Sequence, residues 1–163
     1  MGLLNSLFGN KSEEKKEVGK TINGVRYKDD LIDLLLEDHN SLFEIYGNIM
    51  EQLEKDDFNG IYDNLHLFKS ELNMHIYIEN TQLYTYVKNY FDSDISQLKF
   101  IEQVQQDMDG IAEAVGTFID KWVDISISPE NKDEFKAELE GIGKVLTKRT
   151  KMEESRLYTL YQN

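Results

Sequence analysis

The sequence predicts an all-α protein, an antiparallel up-down-up-down four-helix bundle. Three observations predict it. The 163-residue chain has a single proline, so long stretches run without the residue that breaks a helix most strongly. Within those stretches apolar residues recur at spacings of three and four, the mark of one buried helical stripe. The stripes fall into four segments with short polar connections, which favours antiparallel neighbours. A chain of this length is expected to form one domain with a proper core.

Residues 1–26 read as a flexible tail and 27–163 as the bundle. "NKSEEKKEVGK" is charged and nearly free of apolar side chains. Leu3, Leu4, Leu7 and Phe8 make a short amphipathic patch able to touch a membrane or a partner, and "MGLLNS" fits the loose myristoylation pattern. A plain, loosely docked tail is the simpler expectation. The first helix is predicted from about Lys28 to Lys55, with the stripe Leu31, Leu35, Leu42, Tyr46, Ile49 and Leu53. "KDDFNG" turns the chain and offers Asp57 or Asn59 as a cap. The second helix then runs from about Phe58 to Tyr90, with Ile61, Leu65, Phe68, Leu72, Leu83 and Val87 inward. "NYFDSD" closes it. The third runs from about Ser96 to Val123 on Ile101, Val104, Ile111, Val115, Phe118 and Trp122. The fourth opens at "SISPENKDEF", where Ser128 is a natural N-cap, Pro129 suits the first helical position and acidic residues fill the first turn. Its stripe is Phe135, Leu139, Ile142, Leu146, Leu157 and Leu160. Gly110, Gly116, Gly141 and Gly143 are isolated within helices. They are expected to let the third and fourth helices approach closely, at a propensity cost of about 1 kcal/mol each.

Composition removes several function classes. With no cysteine, disulfides, zinc knuckles, iron–sulfur clusters and thiol catalysis are excluded. A formal charge of −13 opposes nucleic acid, whose phosphates it repels, and permits a basic protein partner or a cation. No apolar run approaches the roughly 18–20 residues of a membrane span, so no integral membrane segment is expected. "MGLLNSLFG" lacks the charged start of a secretory signal, and a cytoplasmic location is the simplest expectation. No Ser/His/Asp set or other complete catalytic constellation is visible, so a non-enzymatic role is expected.

The stripes have gaps, and the gaps hold the chemistry. Between Leu35 and Leu42 the inward residue is His39. Between Leu72 and Leu83 the inward residues are His75 and Glu79. Between Leu146 and Leu157 they are Arg149 and Glu153, while the matching slot of the third helix holds Met108. Spacings of three and four place all of these on buried faces. A single buried histidine is most simply a satisfied core residue. Two histidines and two glutamates on three inner faces are harder to bury without partners or a metal. Imidazole and carboxylate from facing helices are how bundles build iron sites. Tyr46 is the one tyrosine on an inward stripe near His39. Tyr77, Tyr84, Tyr86, Tyr158 and Tyr161 read as bundle edge, His66 as surface or boundary, and Glu71 as solvated.

"LEDHNSLF", "LFKSELNMHIYIENTQLYTYV" and "LTKRTKMEESRLYTLY" together resemble the hemerythrin-like (HHE) family over about residues 28–161. The resemblance implies a four-helix bundle with a non-haem di-iron centre that binds oxygen or handles nitric oxide and redox signals. His39 matches the family's first-helix ligand, His75 and Glu79 its second-helix pair, and Glu153, or its neighbour Glu154, its fourth-helix carboxylate. The departures matter as much. Met108 stands where the third helix should offer a histidine, Arg149 where the fourth should, and Val104, one turn earlier, cannot ligate. The resemblance therefore implies a half site of two histidines and two carboxylates, holding one iron or similar ion rather than two.

Arg149 opens an alternative. A guanidinium one turn from Glu153 can replace the positive charge of a lost iron and pair with the carboxylates, leaving a metal-free bundle. "DEFKAELEGIGKVLTKRTKMEE" is similar to the last helix of bacterial anti-sigma regulators that bind the primary sigma factor of RNA polymerase. Those are also four-helix bundles with an arginine four residues before an acidic residue in that helix. That resemblance implies a regulatory interaction protein, and the acidic charge suits a basic helix-turn-helix partner.

Overall fold

The computed structural model describes residues 21–162. It opens with a hairpin of two short antiparallel strands, β1 (Thr21–Ile22) and β2 (Val25–Arg26), pairing Thr21 with Arg26 and Ile22 with Val25. The turn is Asn23-Gly24, both at positive φ (48° and 82°), a backbone conformation these two residues tolerate best. The end of the segment read as a tail is thus part of the fold. Ile22, Val25 and Tyr27 pack against the apolar cluster at one end of the bundle. Tyr27 stacks on Tyr161 at 4.8 Å, and the Lys28 amide donates to the Tyr161 hydroxyl at 2.8 Å. Strands two residues long have no period to read, so only the Asn-Gly pair marked them. The Leu3–Phe8 patch lies outside the described residues.

Helix α1 spans Leu31–Glu54 and α2 Phe58–Ile78. A π-helical stretch, Glu79–Tyr84, continues α2 into α3 (Thr85–Tyr90). Helix α4 spans Ile95–Ile125 and α5 Lys132–Met152; a second π-helical stretch, Glu153–Leu157, leads into α6 (Tyr158–Tyr161). Asp57 caps α2 by accepting from the Gly60 amide at 3.1 Å, and Asp94 caps α4 through the Gln97 amide at 3.0 Å. These caps satisfy donors that the first helical turn leaves unpaired. The expected cap at Ser128 is replaced by a turn. The Asn131 side chain accepts from the Ser128 amide at 2.8 Å and donates to the Ser126 carbonyl at 3.1 Å, which holds residues 126–131 in a loop and delays the helix to Lys132.

The long helices form a ring in which α1 packs on α2 and α5, and α4 on the same two. This is the predicted all-α four-helix bundle. Its interior has two apolar cores. One contains Leu42, Ile49, Leu65, Phe68, Met108, Phe118, Trp122, Phe135 and Leu146. The other contains Leu31, Leu35, Leu83, Tyr84, Val87, Ile101, Val104, Leu157, Tyr158 and Tyr161. Of the positions read as gaps in the stripes, His39, His75, Glu79, Arg149 and Glu153 fall between them, while Met108, in the matching slot of α4, belongs to the first core. Among the glycines expected to bring α4 and α5 together, Gly110, Gly116 and Gly141 face open space. Gly143 instead lies under the Tyr46 ring of α1, where a Cβ would overlap it. Among the described residues no helix is long and apolar enough to cross a membrane.

Candidate metal centre

One polar layer separates the two cores. The buried polar or charged residues of the described chain are His39, His75, Glu79, Arg149 and Glu153, none more than 5% exposed. The inward placement read from the spacing is therefore what the fold produces. One donor atom each from His39, His75 and Glu153 lie within 4.8 Å of one another.

Each imidazole is held from outside by a carboxylate. His39 Nδ1 lies 2.9 Å from Glu154 Oε1, and His75 Nδ1 lies 3.4 Å from Asp38 Oδ2. Holding Nδ1 from outside turns Nε2 into the bundle, the arrangement that fixes a ligating histidine. His39 Nε2 is 3.1 Å from Glu153 Oε2, and His75 Nε2 is 3.8 Å from Glu79 Oε1. Glu154, weighed with Glu153 as a ligand, projects outward and is 44% exposed along its side chain. Its place is beside the outer nitrogen of His39.

Arg149 fills the neighbouring volume. Nε pairs with Glu153 Oε1, Nη1 donates to the Val104 carbonyl at 2.8 Å, and Nη2 donates to the Tyr84 hydroxyl at 2.8 Å. A planar, permanently charged fork suits three divergent acceptors. Met108, on the same level of α4, packs in the apolar core and offers no strong donor. Tyr158 completes the layer. Its hydroxyl donates to Glu79 Oε1 at 3.1 Å and lies 3.1 Å from His39 Nε2.

The site tyrosines are therefore Tyr84 and Tyr158, each 1% exposed, not Tyr46. Tyr46 donates to the Leu139 carbonyl at 3.1 Å in the apolar core. Tyr86 and Tyr161 are also buried, whereas Tyr77 is exposed. Both site tyrosines follow a site glutamate by five residues, Glu79 to Tyr84 and Glu153 to Tyr158. In a regular α-helix five residues turn a side chain well off the starting face. The π-helical turns starting at Glu79 and Glu153 have i→i+5 bonding, which returns it to that face. Thr85, whose hydroxyl donates to the Asn80 carbonyl at 2.8 Å, marks the wider turn. His66 is exposed and Glu71 half-buried, both outside the cluster.

Burial holds the Glu79 carboxyl well above the ordinary carboxylate range, and the Glu153 carboxylate pushes it the same way. Burial also works against the Glu153 anion, but the His39 hydrogen bond and the Arg149 guanidinium outweigh it and leave its pKa lowered. His39 is drawn down by burial, yet its bonds to Glu153 and Glu154 raise it overall. His75 is lowered, by burial first and by the His39 charge second. Burial raises Tyr84 and Tyr158 strongly. Burial thus favours the neutral forms of Glu79 and His75, while pairing favours the ionised forms of His39 and Glu153 beside Arg149.

The residues present fit a cation. Among the described residues, Glu79 Oε2 is a fully buried side-chain oxygen with no hydrogen-bond partner, an expensive state unless something else occupies it. The two imidazoles and the Glu153 carboxylate form a mutually close donor set suited to a metal cation, with the Glu79 carboxyl beside His75. Arg149 occupies the volume toward α4, where it holds the Val104 carbonyl. No curated protein and no solved structure matches the chain. The model of the hemerythrin HHE cation binding domain matches residues 30–161, and the chain belongs to that family.

Proposed function

We propose that the protein binds a single non-haem iron through His39, His75, Glu79 and Glu153, and serves as a binding or sensing protein for oxygen, nitric oxide or redox state rather than as an enzyme. The observation that carries this reading is the orientation of the two imidazoles. Each has its outer nitrogen on a carboxylate and its inner nitrogen aimed at a buried glutamate. Core packing alone does not require that arrangement twice. Histidine and carboxylate donors suit iron and manganese, and retain no thiolate that would favour softer ions. When bound, iron supplies one-electron chemistry and an open position for a small diatomic molecule. The chain's own residues do the rest. Asp38 and Glu154 hold the imidazole tautomers, Arg149 offsets the negative charge of Glu153, and the apolar cores on either side keep water out. A cytoplasmic setting accords with the absence of cysteine and with the lack of a spanning helix among the described residues. The test is elemental mass spectrometry on protein purified without chelator. About one iron per chain is expected; protein that stays metal-free after exposure to ferrous iron overturns the reading.

A second reading has its own support. All three guanidinium nitrogens of Arg149 are hydrogen-bonded, so the bundle has a cation built into its polar layer. On this reading the protein is a metal-free regulator whose acidic surface binds a basic protein, as the anti-sigma resemblance implies. It predicts a bundle whose stability is indifferent to chelators.

A further inference from the structure

The donor atoms of the polar layer form a chain. Glu153 Oε2 is 3.1 Å from His39 Nε2, which is 3.1 Å from the Tyr158 hydroxyl, which is 3.1 Å from Glu79 Oε1, which is 3.8 Å from His75 Nε2. The chain curls, because its two ends and His39 fall within 4.8 Å of one another. Adjacent donors around a six-coordinate ion, at bond lengths of roughly 2.1 Å, are separated by about 3 Å, and opposite donors by about 4 Å. The three 3.1 Å spacings match adjacent positions of such a shell, while the 3.8 Å step to His75 is wider and would close as the donors draw in around an ion. Tyr158 is not at the rim of the layer; its oxygen sits between His39 and Glu79.

We propose that Tyr158 is a fifth protein ligand, binding the ion through its phenol oxygen. The inference rests on the single-ion reading above and extends it to a residue outside the histidine–carboxylate set. The step balances with the other donors: the phenol O–H bond breaks, an oxygen–metal bond forms, and the phenol proton leaves to solvent with any proton held on Glu79 or on the metal-facing nitrogen of His39. Three anionic donors beside one guanidinium then leave two negative charges for the ion to neutralise. A phenolate is a hard oxygen donor, so the set favours the ferric ion over softer competitors. The π-helical turn at Glu153–Leu157 has a stated purpose on this view. Without it, Tyr158 and Glu153 could not share a face, and the phenol would leave the layer. Tyr84, the corresponding tyrosine of the other π-helical turn, is engaged by Arg149 and stays outside the shell.

Resonance Raman and visible spectroscopy of the full chain loaded with ferric iron test this, with metal counted by mass spectrometry after desalting. The expected result is one iron per chain and a broad phenolate-to-iron charge-transfer band, with tyrosine ring vibrations that shift when ring-deuterated tyrosine is incorporated. This measurement needs no variant. Tyr158→Phe should abolish the band and weaken iron retention at least tenfold while leaving the melting curve of the metal-free protein cooperative; Tyr77→Phe, at an exposed position, should keep the band. Iron bound at one per chain with no phenolate band overturns the Tyr158 assignment alone, and so does a band that survives Tyr158→Phe or disappears in Tyr77→Phe. Failure of the wild-type chain to hold iron overturns the assignment together with the site it rests on.

Discussion

Arg149 Nη2 donates to the Tyr84 hydroxyl at 2.8 Å, tying a buried cation on α5 to a phenol carried inward by the π-helical turn after α2. The same guanidinium holds Glu153 and the Val104 carbonyl, so three helices meet at one side chain. Removing one partner of a buried charge cluster costs more than the cluster contributes, because the remaining charge is left uncompensated. Arg149→Ala should therefore destabilise the metal-free protein by about 3–5 kcal/mol, as measured by urea denaturation in chelator. Arg149→Lys keeps the charge but cannot reach three divergent acceptors, and should fall between wild type and Arg149→Ala. Equal stability of all three proteins would show that the network contributes nothing.

Glu79 sets an opposite pH dependence in the protein alone. Its folded pKa lies well above the unfolded value of 4.5, chiefly through burial. Its contribution to stability is complete below pH 4.5 and is lost as pH rises through the folded pKa. Glu153 is lowered, so its contribution is present above 4.5 and lost as pH falls through its folded value. The alkaline limb attributable to Glu79 approaches a slope of about 1.4 kcal/mol per pH unit, one proton's worth. Glu79→Gln, which is neutral at every pH, should flatten that limb in metal-free protein and abolish metal uptake. The same protonation makes metal binding release protons, so wild-type affinity should rise with pH. Calorimetry in buffers of different ionisation enthalpy reads the release directly; no buffer dependence would contradict it.

The bundle and the inward set His39, His75, Glu79, Arg149 and Glu153 were legible because a spacing of three or four names the face, Glu79 and Glu153 being the last such positions before the π-helical turns begin. Tyr84 and Tyr158 were not. They lie beyond a π-helical turn, where counting at 3.6 residues per turn assigns the wrong side, and a five-residue step from a buried glutamate was the available clue. Tyr46 failed for a different reason. Its position faces inward, but the missing Cβ of Gly143 on α5 leaves room for its half-buried ring, which lies against the apolar core rather than in the polar layer. Side-chain reach across a helix pair is invisible to periodicity. The outer carboxylates Asp38 and Glu154 adjoin His39 and Glu153 in sequence, but each serves an imidazole on another helix, His75 and His39 respectively. Only the fold shows that they face the far nitrogens of the imidazoles.

The glycines of α5 give a paired test of packing against propensity. Gly143 has the Tyr46 ring against it, so a methyl group there forces the ring or the helix to move. Gly143→Ala should cost about 1–3 kcal/mol. Gly141 has open space around it, and Gly141→Ala should stabilise the helix by up to about 1 kcal/mol. Thermal denaturation of the two variants should shift in opposite directions. A shift of the same sign in both would mean that the Tyr46–Gly143 approach does not govern this face.

The two readings of the polar layer make opposite demands on the histidines. If an ion is held, His39 and His75 supply its nitrogen donors, and the His39→Ala/His75→Ala double variant should lose tight iron binding altogether. The wild-type melting temperature should then fall on chelation, since a ligand bound only to the folded state stabilises it, by about 2.7 kcal/mol at a hundredfold excess over its dissociation constant. The double variant should show no response to either iron or chelator. If the layer is metal-free, Arg149 carries the charge balance and the histidines contribute only packing and hydrogen bonds. The double variant should then lose little, roughly the cost of two buried contacts, while Arg149→Ala unfolds. Melting curves of wild type, the double variant and Arg149→Ala, each with iron and with chelator, separate the cases in one experiment. The Glu79 Oε2 atom, buried without a partner, favours the ion. A proton can neutralise that carboxyl, but it leaves both inward-facing imidazoles without a common task.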